Sequence, residues 1–344
     1  MPRNHSLPTA PAPSRETARP RLGFLGVGWI GRHRMKAIAE SGLAEVAAVT
    51  DASPEAVKEA WSVAPGIAQL GSFEEMLEAE LDGVVIATPS ALHAEQAVTA
   101  LERGLHVFCQ KPLARTAAET RRVVAAARAA DRLLSVDLSY RFMAGMEPIR
   151  QLIGAGGLGE VFAVDLVFHN AYGPDKAWFY DPRLAGGGCV MDLGIHLVDL
   201  ALWALNFPCV QYVASHLFAQ GRPLVNRELQ VEDYAAALIS LEGGTSVQLA
   251  CSWKLPAGCD AVIGASFYGT RGGAALRNVN GSFYNFVAEQ FQGTSRQSLA
   301  EPPDDWGGRA AVNWARHVAA GAGFDPAAER LIDVATTLDA IYGR

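Results

Sequence analysis

Positive charge is in deficit in this 344-residue chain: 29 Lys and Arg stand against 36 Asp and Glu, for a formal net charge of −7. Nucleic acid and anionic membrane surfaces select for a positive field, so neither is expected as the main partner. Long hydrophobic runs are missing too. No stretch approaches the roughly 18 consecutive apolar residues of a membrane span, and no membrane role is expected. Cysteine is sparse: Cys109, Cys189, Cys209, Cys251 and Cys259 are five in number, scattered, with no C-x-x-C pair. That pattern opposes a disulfide framework and a structural zinc site, and it suits reduced thiols in a cytoplasm. Asp192, His196 and Asp199 stand at i, i+4, i+7, yet Asp199 drifts off their face and no second cluster joins them, so no metal is expected. Internal repeats are absent. The first 20 residues hold Pro2, Pro8, Pro11, Pro13 and Pro20 with almost no apolar content. They lack the apolar core of a secretory signal, and residues 1–20 read as a disordered tail.

What is present is a large buried core. Half of the residues are apolar and 19% charged, and the length suits about two domains. The most informative stretch is 21–51. Leu22 to Leu25 is a short apolar run of the kind a buried parallel strand shows, and it feeds Gly26-Val27-Gly28-Trp29-Ile30-Gly31, a fit to G-x-G-x-x-G. A helix follows to Ala39 and a strand from Glu45 to Thr50, ending on Asp51. Gly26 permits the tight turn, Gly28 lets backbone approach a pyrophosphate, and Gly31 lets the helix pack on its strand. Trp29 and Ile30 open that helix, whose N-terminus offers free N–H groups and a positive dipole end. Asp51, about 20 residues past the last glycine, is placed to accept hydrogen bonds from a ribose 2′-OH and to repel a 2′-phosphate. NAD is therefore expected, with NADP less favoured.

Strands and helices continue to alternate up to residue 136, with apolar runs at 82–88, 105–109 and 133–136 and helices over 54–62, 72–80, 91–103 and 116–132. Such alternation predicts a doubly wound parallel sheet over 21–142, whose loops at Gly26, Asp51, Thr88-Pro89 and Gln110-Lys111 leave strand carboxyl ends and converge on one cleft. From residue 160 the texture changes. Strands are expected at 161–168, 210–217, 234–241, 245–253, 261–268 and 274–277, with a helix over 188–205 and two terminal helices at 310–320 and 326–342. This predicts a second, α+β domain over 143–344 with an open, mainly antiparallel sheet, the last helix free to pack back on the first domain.

Three segments together resemble the Gfo/Idh/MocA oxidoreductases, the family of glucose–fructose oxidoreductase and inositol dehydrogenase. LHVFCQKPLA (105–114) resembles the HV-x-x-EKP-x-A segment, IATPSALH (86–93) the strand end that leads to a histidine, and GGGCVMDLGIHLVD (186–199) the GGG-x-x-x-D-x-x-x-H helix. The resemblance spans about 21–343. It implies a Rossmann domain plus an open sheet whose outer face forms a homodimer or homotetramer, and it matches Lys111, Asp192 and His196 to a catalytic lysine, aspartate and histidine. Gln110 departs from the family's glutamate and removes a negative charge beside Lys111.

The residues fit that role on their own chemistry. Asp192 and His196 are four apart on an expected helix and share a face. A histidine titrating near neutrality takes a hydroxyl proton as hydride leaves the same carbon, Asp192 orients it or binds a substrate hydroxyl, and Lys111 steadies the developing alkoxide. The expected reaction is reversible hydride transfer between NAD and a secondary alcohol of a sugar, cyclitol or related polyol. Tyr140, Arg141 and Trp178 are candidates to line the sugar pocket, and His93 to shape the cofactor loop. Two alternatives remain at this point: a glycosidase that uses tightly held NAD without net redox change, and a non-catalytic dinucleotide-binding regulator.

Overall fold

The computed structural model describes residues 19–344, so the expectation of a disordered tail lies, apart from Arg19 and Pro20, outside the described residues. The first half is built from β1 (Arg21–Leu25), α1 (Trp29–Ser41), β2 (Glu45–Thr50), α2 (Pro54–Val63), β3 (Ala68–Gln69), α3 (Phe73–Glu78), β4 (Gly83–Ile86), α4 (Ser90–Glu102), β5 (His106–Cys109), α5 (Ala117–Ala130) and β6 (Leu134–Val136). Its six strands run parallel in the order β3-β2-β1-β4-β5-β6. The chain therefore leaves β1 in one direction and β4 in the other, and ligands bind at that reversal, beyond the carboxyl ends of the strands. Local chemistry starts the helices. Ser53, Ser72 and Thr116 each accept the backbone N–H three residues on, as N-caps do. Glu75 completes the cap of α3 by accepting from Gly71, one residue before the expected capping box.

The second half comprises α6 (Met146–Gly154), β7 (Val161–Asn170), α7 (Pro182–Ala185), α8 (Ile195–Ala204), β8 (Val210–Ala219), β9 (Arg222–Pro223), β10 (Tyr234–Leu241), β11 (Ser246–Ser252), β12 (Ala261–Gly269), β13 (Gly273–Asn278), β14 (Phe286–Gln292), β15 (Ser295–Ala300), α9 (Arg309–Ala319) and α10 (Arg330–Tyr342). Its nine strands order as β15-β14-β13-β12-β7-β11-β10-β8-β9. All neighbours pair antiparallel except β7 and β11, which lie parallel at the centre. The β14–β15 hairpin and α6 are additions to the expected elements. The helix expected over 188–205 is instead a π-helical turn, Val190–Gly194, leading into α8.

Packing joins the halves. One core fills the α2 and α1 side of the parallel sheet around Leu22, Phe24, Met35 and Phe108, and Trp314 of α9 is buried in it. The other begins on the opposite face with Val84, Val107 and Leu134 and continues without a break through α8 into the nine-stranded sheet at Phe168, Leu249 and Ile263. The helical run Pro182–Ala204 is long and apolar enough for a membrane span by composition, its most apolar 18-residue window having mean hydropathy 1.4, but 89% of that window is buried inside the protein. Both terminal helices reach the first half: α9 packs on α1 and α10 on α5, where Asp339 accepts the Ala117 N–H. On the far side the large sheet stays open, with Tyr212 62% and Leu238 41% exposed.

Candidate active site

A cleft of about 830 Å³ opens between the carboxyl ends of the parallel strands and the second half. At one end lies the glycine loop. Gly26 sits at φ +84°, and a Cβ there would lie 2.6 Å from the Ala87 carbonyl oxygen; one on Gly31 would lie 2.1 Å from that of Gly26. Only glycine lets loop and helix approach so closely. Gly28 faces open space, with nothing within 4 Å of a Cβ. The α1 N-terminus carries no side-chain cap, so its first N–H groups stay free for an anion. Asp51 holds the loop from behind: Oδ2 accepts the Val27 N–H at 2.7 Å and Oδ1 the Ser53 N–H at 2.8 Å. This set fits a dinucleotide, with the pyrophosphate over Gly28 and the ribose beside Asp51.

The walls carry Trp29, Ile30, Thr88, Pro89, His93, Gln110, Tyr140 and Trp178. His93 is fully buried with its ring nitrogens 2.7 Å from the Pro112 and Thr88 carbonyls. It ties two strand-end loops together. Burial lowers its pKa, and the neutral ring donates to only one of the two carbonyls.

Lys111, at the end of β5, meets Asp192 in the π turn. Its Nζ donates to Asp192 Oδ1 at 2.6 Å and to the Asp192 carbonyl at 2.7 Å. Trp253 Nε1 donates to the other carboxylate oxygen at 3.0 Å. His196 is one turn on, its ring tilted 31° against Tyr140 with centroids 4.7 Å apart. Its Nδ1 is buried without a partner among the described residues, which leaves Nε2 as the nitrogen open to the cleft. Burial first, then Lys111 and Arg34, hold its pKa well below 6.5. The ring is neutral at pH 7. The shared helix face thus brings Asp192 and His196 into one cleft, but the carboxylate is bonded to Lys111 and Trp253 and makes no hydrogen bond to the imidazole.

One expected residue does not belong here. Arg141 forms a bidentate pair with buried Asp199 and lines a separate hollow with Phe142 and Trp203, because the 3₁₀ turn Ser139–Phe142 aims it away from Tyr140. Other residues carry no sequence signal. Glu232 is 1% exposed and accepts the Gly188 and Val190 N–H groups and the Tyr342 hydroxyl, so it anchors the start of the π turn. Trp306 buttresses Tyr140 at 5.1 Å. No spacing rule links either to Lys111.

Fold and cleft define a class, the two-domain dinucleotide-binding proteins built on a Rossmann sheet. Residues 21–138 match the family model described as "Oxidoreductase family, NAD-binding Rossmann fold", and residues 146–275 match the GFO/IDH/MocA C-terminal domain. The chain belongs to the Gfo/Idh/MocA family and carries that family's NAD-binding domain. It is 30% identical over 211 residues to D-glucoside 3-dehydrogenase of Escherichia coli, covering 58% of this chain and 60% of that protein, so less than two thirds of the relative is spanned. It is 31% identical to the putative UDP-kanosamine synthase oxidoreductase subunit of Amycolatopsis mediterranei, covering 80% of each chain. The crystal structure of GenD2 from gentamicin A biosynthesis in complex with NAD has the same fold, with a TM-score of 0.79, 24% identity, and coverage of 97% of this chain and 96% of that one.

Proposed function

We propose that this protein interconverts a secondary alcohol and a ketone on a sugar, cyclitol or related polyol, with NAD preferred over NADP. The observation that carries the reading is the Lys111–Asp192 pair set beside neutral His196 in the cleft that also holds the free α1 N-terminus. Sugar-named relatives support the substrate class, and Asp51 beside the loop supports the preference for a free 2′-OH.

The nicotinamide ring, when bound, supplies the hydride acceptor or donor. His196 Nε2 takes the hydroxyl proton in oxidation and returns it in reduction. Lys111 Nζ, held in place by Asp192 Oδ1 and the Asp192 carbonyl, presents its positive charge to the oxygen that becomes the alkoxide. Trp253 keeps the carboxylate from swinging toward solvent, and Trp178 offers an aromatic face to the C–H surface of a sugar. Tyr212 and Leu238 on the open sheet support a homodimer or homotetramer, and five free cysteines support a reducing, cytoplasmic setting.

The test is NADH appearance by absorbance across sugars, inositols and sugar acids, with NADP run in parallel. Turnover with NAD that disappears in Lys111→Ala and His196→Ala is expected. Full turnover in both variants overturns the reading. Bound NAD with no net NADH on a cleaved glycoside replaces it with the redox-neutral glycosidase.

A further inference from the structure

Behind Lys111 lies a second ion pair that the proposed chemistry does not use. Asp137, just past β6, is 1% exposed, and Arg34 of α1 is 5% exposed. Arg34 Nε donates to Asp137 Oδ2 at 2.5 Å, and the same oxygen receives the Gln110 Nε2 amide at 2.5 Å. Asp137 Oδ1 is buried with no partner among the described residues. All three residues line the cleft that holds Lys111 and Gly28.

Charge accounting at this end is simple. Lys111 is matched by Asp192 and Arg34 by Asp137. Gln110 places an uncharged amide where a carboxylate would meet Asp137 at hydrogen-bonding distance and repel it. One anion is therefore built in behind the strand ends, and it stands at 137. Arg34 and the Gln110 amide both meet Oδ2, so Oδ1 keeps its share of the charge with no donor against it among the described residues, in a place where charge is weakly screened.

We infer that Asp137 is a specificity-determining residue for the redox state of the cofactor, its carboxylate favouring the cationic nicotinamide of NAD⁺ over the neutral ring of NADH. The inference rests on the NAD-binding cleft described above. Asp137 acts through field and through its hold on Arg34 and Gln110. It takes no proton in the reaction. A buried anion of this kind loads the protein with NAD⁺, the cofactor form from which alcohol oxidation starts.

The experiment compares Kd for NAD⁺ and for NADH on the full chain by tryptophan fluorescence, with Trp29 standing 63% exposed at the cleft. Asp137→Asn is expected to raise the ratio of Kd for NAD⁺ to Kd for NADH about tenfold, an effect of the size that one lost charge contact gives. Arg34→Met, which removes the opposing cation, is expected to lower that ratio. Gln110→Glu combined with Asp137→Asn restores an anion one strand over and returns the ratio toward that of the native chain. A ratio unmoved in all three, two single variants moving in the same direction, or a double variant that stays with Asp137→Asn overturns the inference. If Asp137→Asn does not fold, the other two variants decide. Failure of the cofactor reading itself would look different: the native chain would bind neither nucleotide.

Discussion

Lys111 and Asp192 are 81 residues apart in sequence and 2.6 Å apart in space. Each was legible because it sits in a spaced motif, Lys111 before a proline at a strand end and Asp192 four residues before His196. Trp253, Glu232 and Asp137 were not legible. Each is a single side chain delivered from a different strand or loop, and a lone residue has no spacing to read. Arg141 was misplaced for the converse reason, since adjacency to Tyr140 says nothing about facing the same way on a 3₁₀ turn. Two predictions belong at this scale. Asp192→Asn frees Lys111 from its counter-charge and should lower kcat about 10²- to 10³-fold, with NAD affinity by fluorescence changed far less. The second concerns pH. In the proposed reaction neutral His196 is the proton acceptor, and burial, Lys111 and Arg34 lower its pKa well below 6.5. The acid limb of kcat/KM for alcohol oxidation should therefore fall below pH 6.5, and it should be absent from residual activity in His196→Gln.

Among the elements, the π turn before α8 decides how the site is presented. π-helical turns commonly mark functional positions, and this one carries Asp192. The Gly186-Gly187-Gly188 run was legible as part of a motif, but its physical reason emerges only in three dimensions: a Cβ on Gly188 would lie 1.9 Å from the Glu232 carbonyl oxygen. Gly188→Ala should therefore cost about 1–3 kcal/mol, read as a lower denaturant midpoint at unchanged slope. Glu232→Ala strands two buried N–H groups and the Tyr342 hydroxyl. It should cost about 1–3 kcal/mol and lower kcat while leaving the KM for NAD nearly as it was. The alternating strands and helices of the first half were readable because parallel strands are apolar throughout. The β14–β15 hairpin was not, since FVAEQFQ and SRQSLA mix polar and apolar residues without strict alternation and the last strand is mostly exposed.

For the whole molecule, histidine burial sets the response to acid. His33, His93, His106, His169 and His196 all have pKa values lowered by burial. The unfolded chain takes up these protons near pH 6.5 while the native chain does not, so the stability from keeping them neutral is full above that pH and is lost as pH falls through it. Asp199 and Glu232, raised by burial, act in the opposite sense, so the check is differential. Tm measured from pH 7.5 to 5.5 should fall less steeply in His169→Gln than in the native chain, even where the variant starts lower.

The reach of α10 has a consequence in time as well as in space. Tyr342 bonds the glutamate that seats the π turn, Asp339 bonds the start of α5, and Gly28 opens the same cleft from the other end of the chain. A nascent chain with its Rossmann sheet already formed still lacks a seated Asp192. The site is therefore completed only when residue 342 joins the fold, after every other element has been made.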